Sequence, residues 1–209
     1  MAGWKLLTIY HTAEPLDYPR RLPPSVVMVG PSLWDPTAEQ SVDLPQDNRP
    51  LILVGCSSEF QDDGAIAAAA LAGLRERYRV VVTTAGVDPT SLGDPGDAVV
   101  ARFLPHVPIL RRADVVVCHG GMGITQKALA FGVPVCVVPW GRDQLDVAAH
   151  VVAAGAGTRL GRRRLSPARL TAAVDRALAC REGAARVKAG FEATGGVAKA
   201  ADRLEALVA

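Results

Sequence analysis

From Leu51 onward the chain alternates short, continuously apolar, β-branched runs with longer stretches of helical periodicity, and few folds accommodate that rhythm. The apolar runs fall at Leu51–Gly55, Arg79–Thr83, 98–103, 114–118 and 133–138. They are apolar throughout, not at every second residue, so both faces of each strand must be covered, as in a parallel sheet between helices. Helices are expected over 65–77, 125–131, 145–154, Pro167–Leu178 and 197–207, with a shorter turn of helix over 107–112. Leu170, Ala173, Val174, Ala177 and Leu178 recur at helical spacing in one of them. Strand and helix in strict turn predict an α/β domain, a Rossmann-like doubly wound parallel sheet with helices on both faces.

The first fifty residues break this rhythm. Short strands are expected at 6–10 and 26–29, separated by the turn-rich Glu14-Pro15-Leu16-Asp17-Tyr18-Pro19. Pro31, Pro36, Pro45 and Pro50 then punctuate a segment without periodicity. Residues 1–32 read as the end of an earlier unit, 33–50 as a linker and 51–209 as the main domain. A Met followed at once by strand-like sequence suggests a part that precedes it.

With 49% hydrophobic and 21% charged residues, the chain can bury a sizeable core. Its formal charge of +2 is too small to argue for nucleic acid or an anionic membrane as partner. No stretch approaches the about 20 apolar residues of a membrane span, and no basic-then-apolar leader opens the chain, so a soluble protein is expected. Cys56, Cys118, Cys136 and Cys180 show no C-x-x-C spacing, and the first three lie in or beside apolar runs. Free cysteine there is a small hydrophobe, which favours a cytoplasmic location over a disulfide scaffold. No His, Cys and carboxylate cluster has metal-ligand spacing, so neither a protein-built metal site nor a cofactor is expected. Homo-oligomer formation is left open.

The segment most informative about chemistry follows the run ending at Cys118: His119-Gly120-Gly121-Met122-Gly123-Ile124-Thr125, leading into a helix. Doubly wound sheets bind ligands at the carboxyl ends of their strands. Glycines there let the backbone bend and let a bulky anion approach. The amides of Gly123, Ile124 and Thr125 are expected among the unpaired donors of the helix start, where the dipole also favours a phosphate. His119 and Thr125 add side-chain donors, although Thr125 also suits a cap. A tight turn with glycines for sterics alone is the competing reading. Gly121-Met122-Gly123 lacks the third glycine of the dinucleotide fingerprint and follows the fourth apolar run of the domain, which argues against a nicotinamide site although Asp143 lies 20 residues past Gly123.

Four ordered motifs carry a resemblance: Phe103-Leu104-Pro105-His106, then His119-Gly120-Gly121-Met122-Gly123, then Gly132-Val133-Pro134, then Pro139-Trp140-Gly141-Arg142-Asp143-Gln144. Together they resemble the C-terminal, donor-binding domain of GT-B glycosyltransferases of family 1, most closely the bacterial enzymes that glycosylate natural products and antibiotics. The likeness runs from Leu51 to Leu207, and Tyr18-Pro19-Arg20 and Val29-Gly30-Pro31 look like the end of that family's N-terminal acceptor domain. The resemblance implies a nucleoside diphosphate sugar as donor substrate. It places the base on Phe103, the base edge on the Leu104 backbone and the nucleoside sugar beside His106. His119, Gly121, Met122, Gly123 and Ile124 would hold the diphosphate, with Ser57 and Ser58 approaching from the opposite loop. Asp143 and Gln144 would bind the transferred sugar, since a carboxylate beside an amide suits a polyol. Trp140 would line the sugar pocket or simply pack the turn.

Two departures bear on specificity. Ile124 stands where the family usually has Thr or Ser, leaving only its amide to serve there. Lys127 stands where plant members carry a glutamate that pairs with both ribose hydroxyls, which favours a dTDP-sugar over a UDP-sugar. The resemblance also implies inverting, metal-independent transfer with the general base in the N-terminal domain, so no catalytic residue is expected in this chain and the isolated chain is expected to be inactive. A stand-alone donor subunit of a two-chain transferase, a GT-B-fold sugar-nucleotide epimerase and a non-catalytic nucleotide-binding module are the alternatives. Elsewhere, His150 reads as a packing or surface residue, His11 receives no role, Asp62-Asp63 reads as a helix cap, and Arg162-Arg163-Arg164 as a solvated loop.

Overall fold

The computed structural model describes residues 7–35, 42–44, 46–59 and 63–208. Part of the expected linker (36–41 and 45), Leu6 and Asp62 lie outside the described residues. Two three-residue strands, β1 (Thr8–Tyr10) and β2 (Val26–Met28), pair in parallel as a separate small sheet. The main sheet has β3 (Leu51–Gly55), β4 (Arg79–Thr83), β5 (Val99–Ala101), β6 (Val115–Cys118), β7 (Val135–Val137) and β8 (Gly157–Arg159). All its pairings are parallel, in the order β5-β4-β3-β6-β7-β8. The chain winds outward from β3 to β5, then returns to start β6 on the other side of β3. The strand order reverses between β3 and β6, and their carboxyl ends splay there into a crevice.

The apolar runs explain the layering. Ile52, Val54, Val80, Val82, Val115 and Val117 point into one core layer, against α1 (Gly64–Leu74) and α5 (Pro167–Leu178). The intervening Leu51, Leu53, Val81, Val116 and Cys118 point into the other. That second layer is covered by α2 (His106–Leu110), α3 (Met122–Ala130), α4 (Gln144–Ala153) and α6 (Arg181–Ala193). Each central-strand side chain is at or near zero exposure, as the continuous apolarity requires. A last helix, α7, spans Gly196–Val208.

Several expected strands are shorter than their runs, most of all 98–103, which contracts to Val99–Ala101, and 133–138, which contracts to Val135–Val137. β8, α6 and the short 3-10 turn Pro89–Leu92 had no counterpart in the sequence reading. The amino-terminal segment packs on the domain. Ala13, Leu16 and Leu44 join the second core layer, and the Tyr18 ring meets the His150 ring edge-on at 4.5 Å. His150 is therefore a packing residue, with its Nε2 3.6 Å from Asp17. Arg162-Arg163-Arg164 forms a short 3-10 turn, and the Arg162 guanidinium lies 4.9 Å from the Trp140 ring centroid.

Candidate nucleotide-binding site

The loops leaving β3 and β6 face one another across a cavity of about 920 Å³. Its wall gathers Ser57, Ser58, Phe103, Leu104, His106, His119, Gly121, Gly123, Ile124, Asp143 and Gln144 from four separate loops. The two other residues placed here from the sequence, Met122 and Trp140, are not on that wall. Met122 opens α3 with its side chain 39% exposed. Trp140 takes the packing alternative, its ring against the α1/α5 core layer.

On the β6 side, Gly120 has φ +94°, and a Cβ there would come within 2.7 Å of Val137 Cγ1. No other residue type makes this bend and still lets β7 pass so close. The bend lets α3 begin at Met122, three residues earlier than the periodicity predicts, with Gly121 as its extended N-cap. As a result the Thr125 amide is not an open donor, since it donates to the Gly121 carbonyl at 3.1 Å. The open set moves one residue back, to Met122, Gly123 and Ile124, which have no helical carbonyl behind them. The Thr125 hydroxyl is fully buried against the Cys118 thiol, 3.7 Å away, and is not a ligand group. The Ile124 side chain covers Gly55 at the end of β3.

His119 is buried, and its Nδ1 has no hydrogen-bond partner among the described residues. That nitrogen faces the carboxylate of Asp63, 3.6 Å away. Burial pushes the imidazole below its ordinary pKa, while the Asp63 charge, the Gly55 backbone and the Asp143 charge pull the other way. Asp63 does not cap α1 with its side chain. Instead its Oδ2 accepts the Ser57 amide at 2.7 Å, holding the β3 loop in place. Ser57 Oγ in turn accepts the Glu59 amide at 3.0 Å, so its hydroxyl shapes the loop. Ser58 is exposed on the same wall.

At the other end of the cavity, Phe103 is 71% exposed and Trp34 77%, the two most exposed large apolar side chains among the described residues. Trp34 belongs to a segment, Ser32 to Asp35, that forms part of the wall and that sequence reasoning assigned to the domain junction. Its attachment is specific. Asp35 Oδ2 accepts the amides of His106 and Val107, each at 2.9 Å, at the start of α2. Lys127 donates to the Trp34 carbonyl at 2.8 Å and lies 3.7 Å from Asp35 Oδ2. His106 Nε2 lies 3.1 Å from Thr83 Oγ1 at the end of β4, and burial pushes its pKa down to about 4.

On the remaining side, Arg142 has φ +55°, a strained backbone for a side-chain-bearing residue, and it turns the chain so that exposed Asp143 reaches the wall. Gln144 is buried, and its Oε1 accepts the amides of Trp140 at 2.7 Å and Gly141 at 3.1 Å. Its oxygen thus builds the turn that presents Asp143. The whole arrangement offers helix-start amides and an imidazole in the middle, aromatic faces at one end, and a carboxylate at the other.

Residues 76–207 match the family described as the erythromycin biosynthesis protein CIII-like C-terminal domain. The 4'-demethylrebeccamycin synthase of Lentzea aerocolonigenes is 32% identical over 210 residues, covering 97% of this chain and 50% of its own. The NDP-glycosyltransferase YjiC of Bacillus subtilis is 30% identical over 186 residues, covering 86% of this chain and 47% of its own. The calicheamicin glycosyltransferase CalG4 superposes with a TM-score of 0.86 at 27% identity, over 97% of this chain and 53% of that one. The chain spans about half the length of the curated relatives it matches.

Proposed function

The chain belongs to the family of erythromycin biosynthesis protein CIII-like C-terminal domains, homologous to GT-B natural-product glycosyltransferases, and on that premise we propose that it binds the nucleoside diphosphate sugar in an inverting glycosyl transfer to a small natural-product acceptor. The observation that carries this reading is the cavity itself. It has the α3 amino terminus and His119 between an aromatic end and the Asp143 carboxylate, matching the order of base, diphosphate and sugar in such a donor. The diphosphate gains negative charge as the bond to the sugar breaks, and amides already aimed at it stabilise that charge without reorganising. Helix-dipole contacts of this kind contribute about 0.3–1 kcal/mol each, more when partly buried.

The base rests against Phe103 in this reading, the base edge meets the Leu104 backbone, and His106 lies by the nucleoside sugar. Ser57 and Ser58 flank the diphosphate, and Asp143 with Gln144 binds the transferred sugar. Thymidine diphosphate is favoured over uridine diphosphate because Lys127 is committed to Trp34 and Asp35, so α3 presents no carboxylate to a 2'-hydroxyl. The general base and the acceptor pocket come from the acceptor domain, and the polypeptide of 209 residues alone transfers nothing. Calorimetric titration with thymidine and uridine diphosphates, on wild type and His119→Ala, tests the assignment. Wild-type binding with at least a tenfold loss in the variant is expected, about 1.4 kcal/mol. Absence of binding to folded wild type would remove the assignment. A uridine preference would overturn the choice of base, and a measurable transfer rate would overturn the inactivity.

A further inference from the structure

Asp63 is out of place for a helix cap. It is 1% exposed, sits one residue before α1, and turns its carboxylate away from the helix amides toward the β3 loop and His119. There it meets the buried imidazole Nδ1, which has no hydrogen-bond partner by geometry among the described residues, with the Gly55 backbone also close to the ring. The gap of 3.6 Å is longer than a hydrogen bond yet within ion-pair range. A neutral imidazole at this place has two choices. With its proton on Nδ1, it faces Asp63 favourably but has only a lone pair left for a phosphate. With its proton on Nε2, it can donate to a phosphate but sets a lone pair against the carboxylate. Only the imidazolium donates in both directions, and an anion arriving from the cavity is what makes that form favourable.

We propose that Asp63 is a positioning residue for the diphosphate grip, and that donor binding draws one proton from solvent onto His119, whose imidazolium then bridges Asp63 and the diphosphate. The proposal rests on the nucleotide-sugar reading above and deepens it. The proton returns to solvent when the nucleoside diphosphate leaves, and no covalent bond is made or broken in the step. Without ligand, burial keeps His119 below its ordinary pKa, so the proton is absent near neutrality. Several titratable groups among the described residues face the pair. Asp143 comes from the start of α4 and favours the imidazolium. Glu59 and Arg142 are on the flanking loops of the cavity. The Cys56 and Cys118 thiols beside Asp63 are pushed up by burial to about 12 and about 11 and stay neutral throughout.

The test is calorimetry with thymidine diphosphate glucose and uridine diphosphate glucose, whose phosphates are diesterified and lack the second ionisation near pH 6 that a free terminal phosphate brings. Titrations at each pH use two buffers of different ionisation enthalpy, so that the heat difference counts protons. Wild type is expected to take up close to one proton at pH 7.5 and to lose about tenfold in affinity for each pH unit above 7. Asp63→Asn is expected to take up almost none and to bind with a nearly flat pH profile, weaker than wild type at pH 7 and below. His119→Gln, whose side chain cannot protonate, keeps the interpretation independent of whether the Asp63 variant folds, and it should bind without uptake. Buffer-independent heats in wild type, or the same uptake in Asp63→Asn as in wild type, would overturn the proposal while leaving the nucleotide site standing. Wild type that binds neither nucleotide sugar would overturn both.

Discussion

Gly123 separates the two reasons for which a glycine can occupy a strand-to-helix turn. It is the second residue of α3, its φ is ordinary, and a Cβ built there meets no atom within 4 Å. Nothing in the fold requires glycine. Alanine should stabilise the helix by about 0.5–1 kcal/mol, mostly by lowering the entropy of the unfolded chain. For a chain of this size that raises Tm by about 1–4 °C. The open space, however, is the cavity. Helical Cβ atoms lean toward the amino terminus, so the methyl would project toward the anion proposed to sit on the three open amides. Amide-to-phosphate bonds need an N···O distance near 2.9 Å, and displacement of the phosphate forfeits one or more charge-assisted bonds of about 1.5–3 kcal/mol. Gly123→Ala should therefore melt higher and bind thymidine diphosphate about 10- to 150-fold more weakly, measured by thermal melting and calorimetry on the same preparation. Gly120→Ala provides the opposite control, because its φ of +94° and the 2.7 Å approach to Val137 make it destabilising, by about 1–3 kcal/mol. A lower Tm for Gly123→Ala would show that its glycine is structural. Binding unchanged within twofold would show that no diphosphate sits at the start of α3.

Two further outcomes follow from buried polar groups. His106 has a folded pKa of about 4 against an ordinary 6.5, so below pH 6.5 the unfolded chain binds the proton and the folded one resists it. Its contribution is complete above pH 6.5 and is lost as pH falls toward 4, up to about 3 kcal/mol in total; His106→Gln should flatten that part of the urea-midpoint profile. Gln144→Leu leaves the Trp140 and Gly141 amides without their acceptor. It should cost about 2–3 kcal/mol, read as a Tm drop of about 4–12 °C, and an unchanged Tm would mean that water replaces the amide oxygen without loss.

The sheet was legible because a strand buried on both faces must be apolar at every position, and Ile52 and Leu53 serve opposite core layers within one run. β8 was not, since Gly157-Thr158-Arg159 is short and has no apolar side chain to signal it. α6 was hidden by its polarity and its glycines. Yet Ala184, Val187 and Phe191 are its buried stripe, and Gly183 is required because a Cβ would meet the Gly155 carbonyl oxygen at 2.0 Å. At the site, motif order was enough to bring eleven of the named residues to one cavity wall. What it missed were groups that act on other groups. Asp63 read as a cap because an acid before a helix usually is one, and only the fold reveals that its carboxylate turns to Ser57 and His119. Gln144 read as a sugar ligand, and the fold adds that its oxygen accepts the Trp140 and Gly141 amides and so shapes the turn as well.

Lys127 illustrates how the fold alters the meaning of a substitution. In the sequence it is a missing carboxylate at the nucleoside end of the cavity. In the structure it is a cation that fastens Trp34 and Asp35 across that end, while Asp35 accepts the first amides of α2. The carboxylate has not vanished from this neighbourhood; it arrives from the segment before β3 and is already engaged by two amides and an ammonium. Its ability to accept from a ribose hydroxyl is reduced accordingly, because each existing donor draws on the same lone pairs. The two ends of this short bridge come from α2 and α3, elements that the sheet positions, so the 32–35 segment holds a defined place on the wall without strand pairing of its own. The proposed preference for a nucleoside lacking a 2'-hydroxyl thus depends on Lys127 and Asp35 as a pair. Replacing Lys127 by glutamate alone would set two carboxylates against each other and loosen the wall instead of restoring a ribose contact.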